Sequence, residues 1–182
     1  MVVFGEDRNA EFRGDVDHLA YDIDGSKERK LLQELKADGI PVVSVFLSGR
    51  PMWVNPEINA SDAFVAAWLP GSEGAGIADL LFSEAAGKPR FDFRGKLSFS
   101  WARRAEQTPL NVGDADYDPL FAYGYRVTYA APGEVAHLDE TVSEALVSAR
   151  ANGTFFEKGS FVADWTAHMS GNVTQSRLDH RA

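Results

Sequence analysis

The chain reads as an α/β domain with a mainly parallel sheet sandwiched by helices, followed by the start of a small β module. Three observations predict this. Short apolar runs at residues 2–5, 42–47 and 63–68 have strand length and end in turn residues. Helix patterns at 26–38 and 72–83 alternate with those runs. Such alternation favours parallel strands joined by crossover connections.

Each element has a local reason. Residues 2–5 form an apolar run ending at Gly5, and the polar, aperiodic stretch 6–24 reads as a loop. Ser26 is the expected N-cap of the first helix, with Leu31, Leu32 and Leu35 on one face and Gly39 as its stop signal. Pro41 leads into the strand at 42–47, and residues 52–58 suit a short helical turn. The apolar run that ends at Leu69 is stopped by Pro70-Gly71, after which Ser72 is the expected cap of the next helix. Residues 96–101 alternate, placing Leu97, Phe99 and Trp101 on one strand face, and 125–129 reads as another strand. Residues 138–151 have amphipathic spacing through Val142, Ala145, Leu146 and Ala149. The resulting division is an α/β domain over 1–129, a linker and helix over 130–152, and the beginning of a β domain over 153–182, whose polar tail is expected to be disordered.

Composition narrows the function. The 182 residues carry a net charge of −9, which argues against nucleic acid or an anionic membrane as partner but is compatible with a neutral sugar. There is no cysteine, hence no disulfide, thiol nucleophile or thiolate metal site. The histidines, His18, His137, His168 and His180, lack metal-ligand spacing, and no metal or cofactor is expected. Met1 to Phe4 leads into a strand pattern without a charged n-region, apolar h-region or cleavage site, so this chain shows no signal peptide and is expected to be a fragment of a longer protein. Gly71-Ser72-Glu73-Gly74-Ala75-Gly76 lacks the Lys-Ser/Thr of a phosphate loop, and its acid would repel an anion.

Specific segments follow one another along the chain. Gly5-Glu6, Ala10-Glu11 and Gly14-Asp15 follow the first strand, and Ser48-Gly49-Arg50-Pro51 follows the second. Ala66-Ala67-Trp68-Leu69-Pro70-Gly71 with Glu73-Gly74 comes next, then Phe93-Arg94-Gly95-Lys96-Leu97. Pro109-Leu110-Asn111-Val112-Gly113-Asp114, Tyr117-Asp118-Pro119-Leu120-Phe121 and Tyr123-Gly124-Tyr125 complete the series. In this order, over residues 1–129, they resemble the second domain of glycoside hydrolase family 3, the β-glucosidase and exo-glucanase family.

The resemblance implies retaining hydrolysis of terminal β-glucosyl residues from a β-glucoside or β-glucan oligosaccharide. It implies Glu11 as the general acid/base; Glu6, directly after the strand, is the competing candidate for that acid, and by position Glu6, Asp15 and Arg50 read as supporting residues. Arg50 is expected to pair with a carboxylate, Glu6 or Glu73. Glycoside hydrolysis uses two carboxyl groups flanking the scissile bond. In this family the second is an aspartate on an N-terminal barrel domain, so the chain alone is expected to be inactive. Asp164-Trp165 stands after the Gly-Tyr signal, outside the region where that aspartate would lie, and is assigned to packing. The family implies no cofactor and suggests a periplasmic or extracellular location. No substrate-binding residue is singled out: Trp53, Trp68, Trp101 and Trp165 could stack on sugars, but Trp68 and Trp101 read as core. The alternative is a non-catalytic carbohydrate-binding or scaffolding α/β module. Arg8-Asn9 favours it, because the family often has Pro-Tyr at that point.

Overall fold

The computed structural model describes residues 1–7, 10, 16, 18–83, 87–144, 146, 156, 157, 160 and 161. Strand β1 (Val2–Gly5) pairs in parallel with β2 (Val43–Leu47), which pairs in parallel with β3 (Ala63–Ala66). The helix α1 (Lys27–Ala37) lies in the β1–β2 connection and α2 (Asn55–Asn59) in the β2–β3 connection. The strand order β1-β2-β3 and these connections make it an α/β fold, as the alternating pattern requires.

Register decides which side chains meet. Phe4 lies opposite Phe46, and Phe46 opposite Ala66; Val2 lies opposite Ser44, and Ser44 opposite Phe64. Alternation puts these on one sheet face, where Phe4 and Phe46 join Leu32, Val42, Met52 and Val54 in the core. Complete burial of a side chain such as Phe46 or Leu32 contributes about 1.5–3 kcal/mol. The aromatic rings interlock: Tyr21 meets Phe46 edge-on at 5.1 Å, and Phe4 meets Phe46 at 5.5 Å. Ser44, buried in this apolar layer, is satisfied by Ser61 Oγ at 2.6 Å.

Gly5 ends β1 where β2 comes closest. A Cβ there would stand 2.2 Å from the Leu47 carbonyl oxygen, so the close strand approach admits only glycine.

Ser26 caps α1 as its position predicts, accepting from the Arg29 N–H at 3.0 Å. Only part of the expected helix face is buried: Leu32 is fully covered and Leu35 packs on the core, whereas Leu31 is exposed. Successive helical residues diverge by about 100°, so a neighbour of Leu32 turns away from the sheet.

Several expectations are corrected. The helix α3 (Gly74–Leu81) is capped by Glu73 without a side-chain bond; the Ser72 hydroxyl turns to the Glu73 carboxylate at 2.9 Å instead. Residues 96–101 and 125–129 are not strands. Only isolated bridges form there, Trp101 with Phe121 and Thr128 with Ala131. Period-2 alternation needs a continuous ladder, and its absence leaves Phe99 exposed while Trp101 is buried. Residues 138–143 are irregular rather than helical, because Asn55 and Asn59 draw the backbone of 138–139 into side-chain bonds.

The contacts divide the chain into two units, Met1–Val142 and Ser143–Ala182. In the second, β4 (Phe156–Glu157) and β5 (Ser160–Phe161) pair antiparallel. The expected tail lies outside the described residues.

Candidate functional site

The carboxyl ends of parallel strands are where α/β domains place ligands. Here that edge is built by Glu6 after β1, Ser48-Gly49-Arg50 after β2 and Trp68 after β3. The ladder continues briefly past the strands: Glu6 N–H donates to Leu47 O at 3.0 Å, and Ser48 N–H to Trp68 O at 3.2 Å.

Glu6 ties this edge together. Its Oε1 accepts the Gly49 N–H at 2.7 Å, and its Oε2 lies 3.2 Å from Arg50 Nε. The Glu6 side chain is 8% exposed and that of Arg50 25%. A largely buried carboxylate with two such donors is compensated rather than stranded. Ser48 Oγ donates to Arg50 O at 2.8 Å, which fixes the turn that presents the guanidinium. Arg50 therefore pairs with Glu6, not with Glu73, which is exposed at the head of α3.

Glu11 and Asp15, with Arg8, Asn9 and Gly14, lie outside the described residues. The described residues on either side form an outgoing limb through Asp7 and a returning limb from His18. On the latter, Leu19 N–H donates to Ala105 O and Trp53 N–H donates to Leu19 O, each at 2.7 Å. The Tyr21 hydroxyl donates to Gly5 O at 3.2 Å, which joins the returning limb to the outgoing one. Burial pushes the Tyr21 hydroxyl up to about 12, helped by the nearby carboxylates Glu28, Glu57 and Asp22, so it remains a donor.

A second ionic cluster lies beneath that returning limb, unforeseen from the sequence. Glu57, on α2, has a side chain 1% exposed, and its Oε1 accepts from Arg29 Nε at 3.0 Å. Arg29 also donates to Asp22 O, and its guanidinium stands 3.8 Å from the Asp22 carboxylate. Burial raises the Glu57 carboxyl above its ordinary range, and Arg29 offsets only part of that. Its Oε2 has no hydrogen-bond partner among the described residues. No sequence signal pairs positions so far apart.

Of the four tryptophans, Trp53 and Trp101 are buried, Trp68, held at φ 55°, is half-buried and lies 6.0 Å from Trp101, and Trp165 lies outside the described residues. Among the described residues no group of His, Asp and Glu could hold a metal ion, and no helix is long and apolar enough to cross a membrane.

The class of domain these observations define is a parallel α/β sheet with a paired carboxylate, Glu6, at its carboxyl edge. The chain belongs to glycosyl hydrolase family 3, matching the model of that family's C-terminal domain over residues 1–129. It is 32% identical over 138 residues to a xylan 1,4-beta-xylosidase of Xylanibacter ruminicola, covering 71% of this chain and 14% of that protein. It is 32% identical over 124 residues to a periplasmic beta-glucosidase of Salmonella typhimurium, covering 56% of this chain and 15% of that protein. Among solved structures it is similar to the exo-1,3/1,4-beta-glucanase of a Pseudoalteromonas species, with 58% identity and a TM-score of 0.74 over 78% of this chain and 18% of that one. The chain thus spans a small part of the length of the relatives it matches.

Proposed function

We propose that this chain supplies the general acid/base to a retaining β-glucosidase or exo-β-glucanase whose nucleophile lies on a separate N-terminal barrel domain. The observation that carries the reading is the Glu6 carboxylate holding both Gly49 and Arg50 at the sheet's carboxyl edge. That lock fixes the root of the loop bearing Glu11 and frees Glu6 from any acid role of its own. Membership of family 3 and the likeness to the Pseudoalteromonas exo-1,3/1,4-beta-glucanase support a β-glucoside substrate.

In this reading Glu11 protonates the glycosidic oxygen as the bond to the anomeric carbon breaks and the barrel carboxylate attacks from the opposite face. Glu11 then takes a proton from the water that hydrolyses the glycosyl-enzyme. The two carboxyl groups must stand about 5–5.5 Å apart. Asp15 closes the loop, and Arg50 and Glu6 fix its base. The substrate is a neutral β-glucoside or β-glucan oligosaccharide, the location is periplasmic or extracellular, and the chain alone turns nothing over.

The test replaces the corresponding domain of the Pseudoalteromonas exo-glucanase with residues 1–129 and measures hydrolysis of an aryl β-glucoside. The chimera is expected to be active and the 182-residue chain alone inactive. Turnover by the purified chain that vanishes in Glu11→Gln would contradict the division of labour.

A further inference from the structure

We propose that the groove flanked by Phe99 and Tyr123 is a binding subsite for a glucosyl unit of a neutral oligosaccharide; the choice of sugar rests on the function proposed above, the site itself does not.

The starting observation is misplaced apolar surface. Phe99 is 61% exposed and Tyr123 63% exposed, although their neighbours Trp101 and Phe121 pack on the core. Both aromatic residues line the same cavity of about 310 Å³, within the range of about 300–1,000 Å³ typical of small-molecule clefts. The cavity begins at Arg50 and Pro51, at the carboxyl edge of the sheet.

The backbone beneath these rings is fixed. Leu97 N–H donates to Tyr125 O at 3.0 Å, Gly124 N–H to Leu97 O at 2.9 Å, and Trp101 N–H to Phe121 O at 2.8 Å. The Tyr117 hydroxyl pairs with Ser100 Oγ at 2.8 Å and accepts the Tyr123 N–H at 3.3 Å, so it ties both walls together. The facing loop is held by Gln107, whose Oε1 accepts the Arg103 N–H and whose Nε2 donates to Asp118 O, both at 2.8 Å. Walls fixed before binding reduce the ordering cost of a ligand.

The lining selects chemistry. Among the described residues Arg50 is its only charged member, and that guanidinium is already engaged by Glu6. Thr108 and Asn111 contribute a hydroxyl and an amide whose side chains make no hydrogen bond to other described residues. Exposed aromatic faces beside neutral donors and acceptors suit a pyranose, which offers C–H faces and hydroxyl edges. A second cavity of about 500 Å³ shares Gln107, Thr108 and Asn111 with the first and adds Arg104, Glu106, Asp114 and Asp116, charged groups able to bond sugar hydroxyls. Two cavities with a shared wall fit an oligosaccharide better than a monosaccharide.

The test is calorimetric titration of the full chain with laminaritetraose and with glucose. Saturable binding of the tetrasaccharide, tighter than that of glucose, is expected. Phe99→Ala and Tyr123→Ala should each weaken it by several-fold to about tenfold, Phe99→Trp should preserve it, and Phe82→Ala, at an exposed aromatic outside the groove, should leave it unchanged. Unchanged thermal midpoints establish that the variants fold. Absence of tetrasaccharide binding, or equal binding by the Phe99→Ala and Tyr123→Ala chains, overturns the subsite. Because the readout is binding without turnover, that outcome leaves the role of Glu11 standing. Failure of the chimera to depend on Glu11 leaves the subsite standing.

Discussion

Arg50 holds its Nε 3.2 Å from Glu6 Oε2, joining the residue after β1 to the turn after β2. Glu6 is the better buried partner and also caps Gly49 N–H. Glu6→Ala is expected to destabilise the chain by about 1–3 kcal/mol, because it removes the acceptor of the Gly49 N–H and the carboxylate beside Arg50 together. Glu6→Gln should cost less, since its amide oxygen still accepts one of those bonds. Urea unfolding of the three proteins checks the order.

Gly5 should tolerate no side chain. Gly5→Ala would drive a Cβ into backbone at 2.2 Å, which no rotamer change relieves. The expected loss is at least about 1–3 kcal/mol, the range for overpacking, read from the denaturant midpoint. A neutral Gly5→Ala would mean that β1 and β2 lie further apart than described.

Asn59 clasps a segment near the end of the first unit. It donates to Leu138 O at 2.9 Å and to Glu140 Oε1 at 2.7 Å, and accepts the Leu138 N–H at 2.9 Å. Asn59→Ala should release these together, at a cost of about 1–3 kcal/mol, and speed exchange of the Leu138 amide. Asn59→Asp should be no milder, since it sets a carboxylate against Glu140. Hydrogen exchange followed residue by residue reads the effect directly.

Glu57 gives stability a pH dependence of defined sign. Burial raises its folded-state value above the ordinary 4.5, so the folded chain holds this proton more tightly than the unfolded chain does. The stability this contributes is full below 4.5 and is lost as pH rises through the folded-state value. Thermal midpoints of the native chain and of Glu57→Gln, followed upward across that window, should show the native chain's relative stability falling. A relative stability that rises with pH would contradict the assignment.

The sequence spoke most clearly where a local rule decided the outcome. Ser26 capped α1, apolar runs of strand length became β1, β2 and β3, and their alternation with helices required parallel pairing. It failed where tertiary context overrode the local pattern. Ser72 lost its cap to a bond with Glu73, and Phe99 left the alternation of 97–101 because no ladder formed there. Residues 138–143 were pulled from a helical spacing by the amides of α2. The pairing of Arg50 with Glu6 was legible as one of two options, because both residues follow strand ends. The burial of Glu57 against Arg29 was not, since only the fold brings α1 and α2 together.

The central claim is that Glu11 is the proton donor, and dependence on the leaving group tests it most directly. In the chimeric enzyme, Glu11→Gln should slow hydrolysis of a β-glucan oligosaccharide by about 10²–10⁴-fold, the usual contribution of a general acid. With a 2,4-dinitrophenyl β-glucoside, whose leaving group needs no proton, formation of the glycosyl-enzyme should continue at nearly the parent rate. An equal loss on both substrates, or no loss on the oligosaccharide, would contradict the assignment.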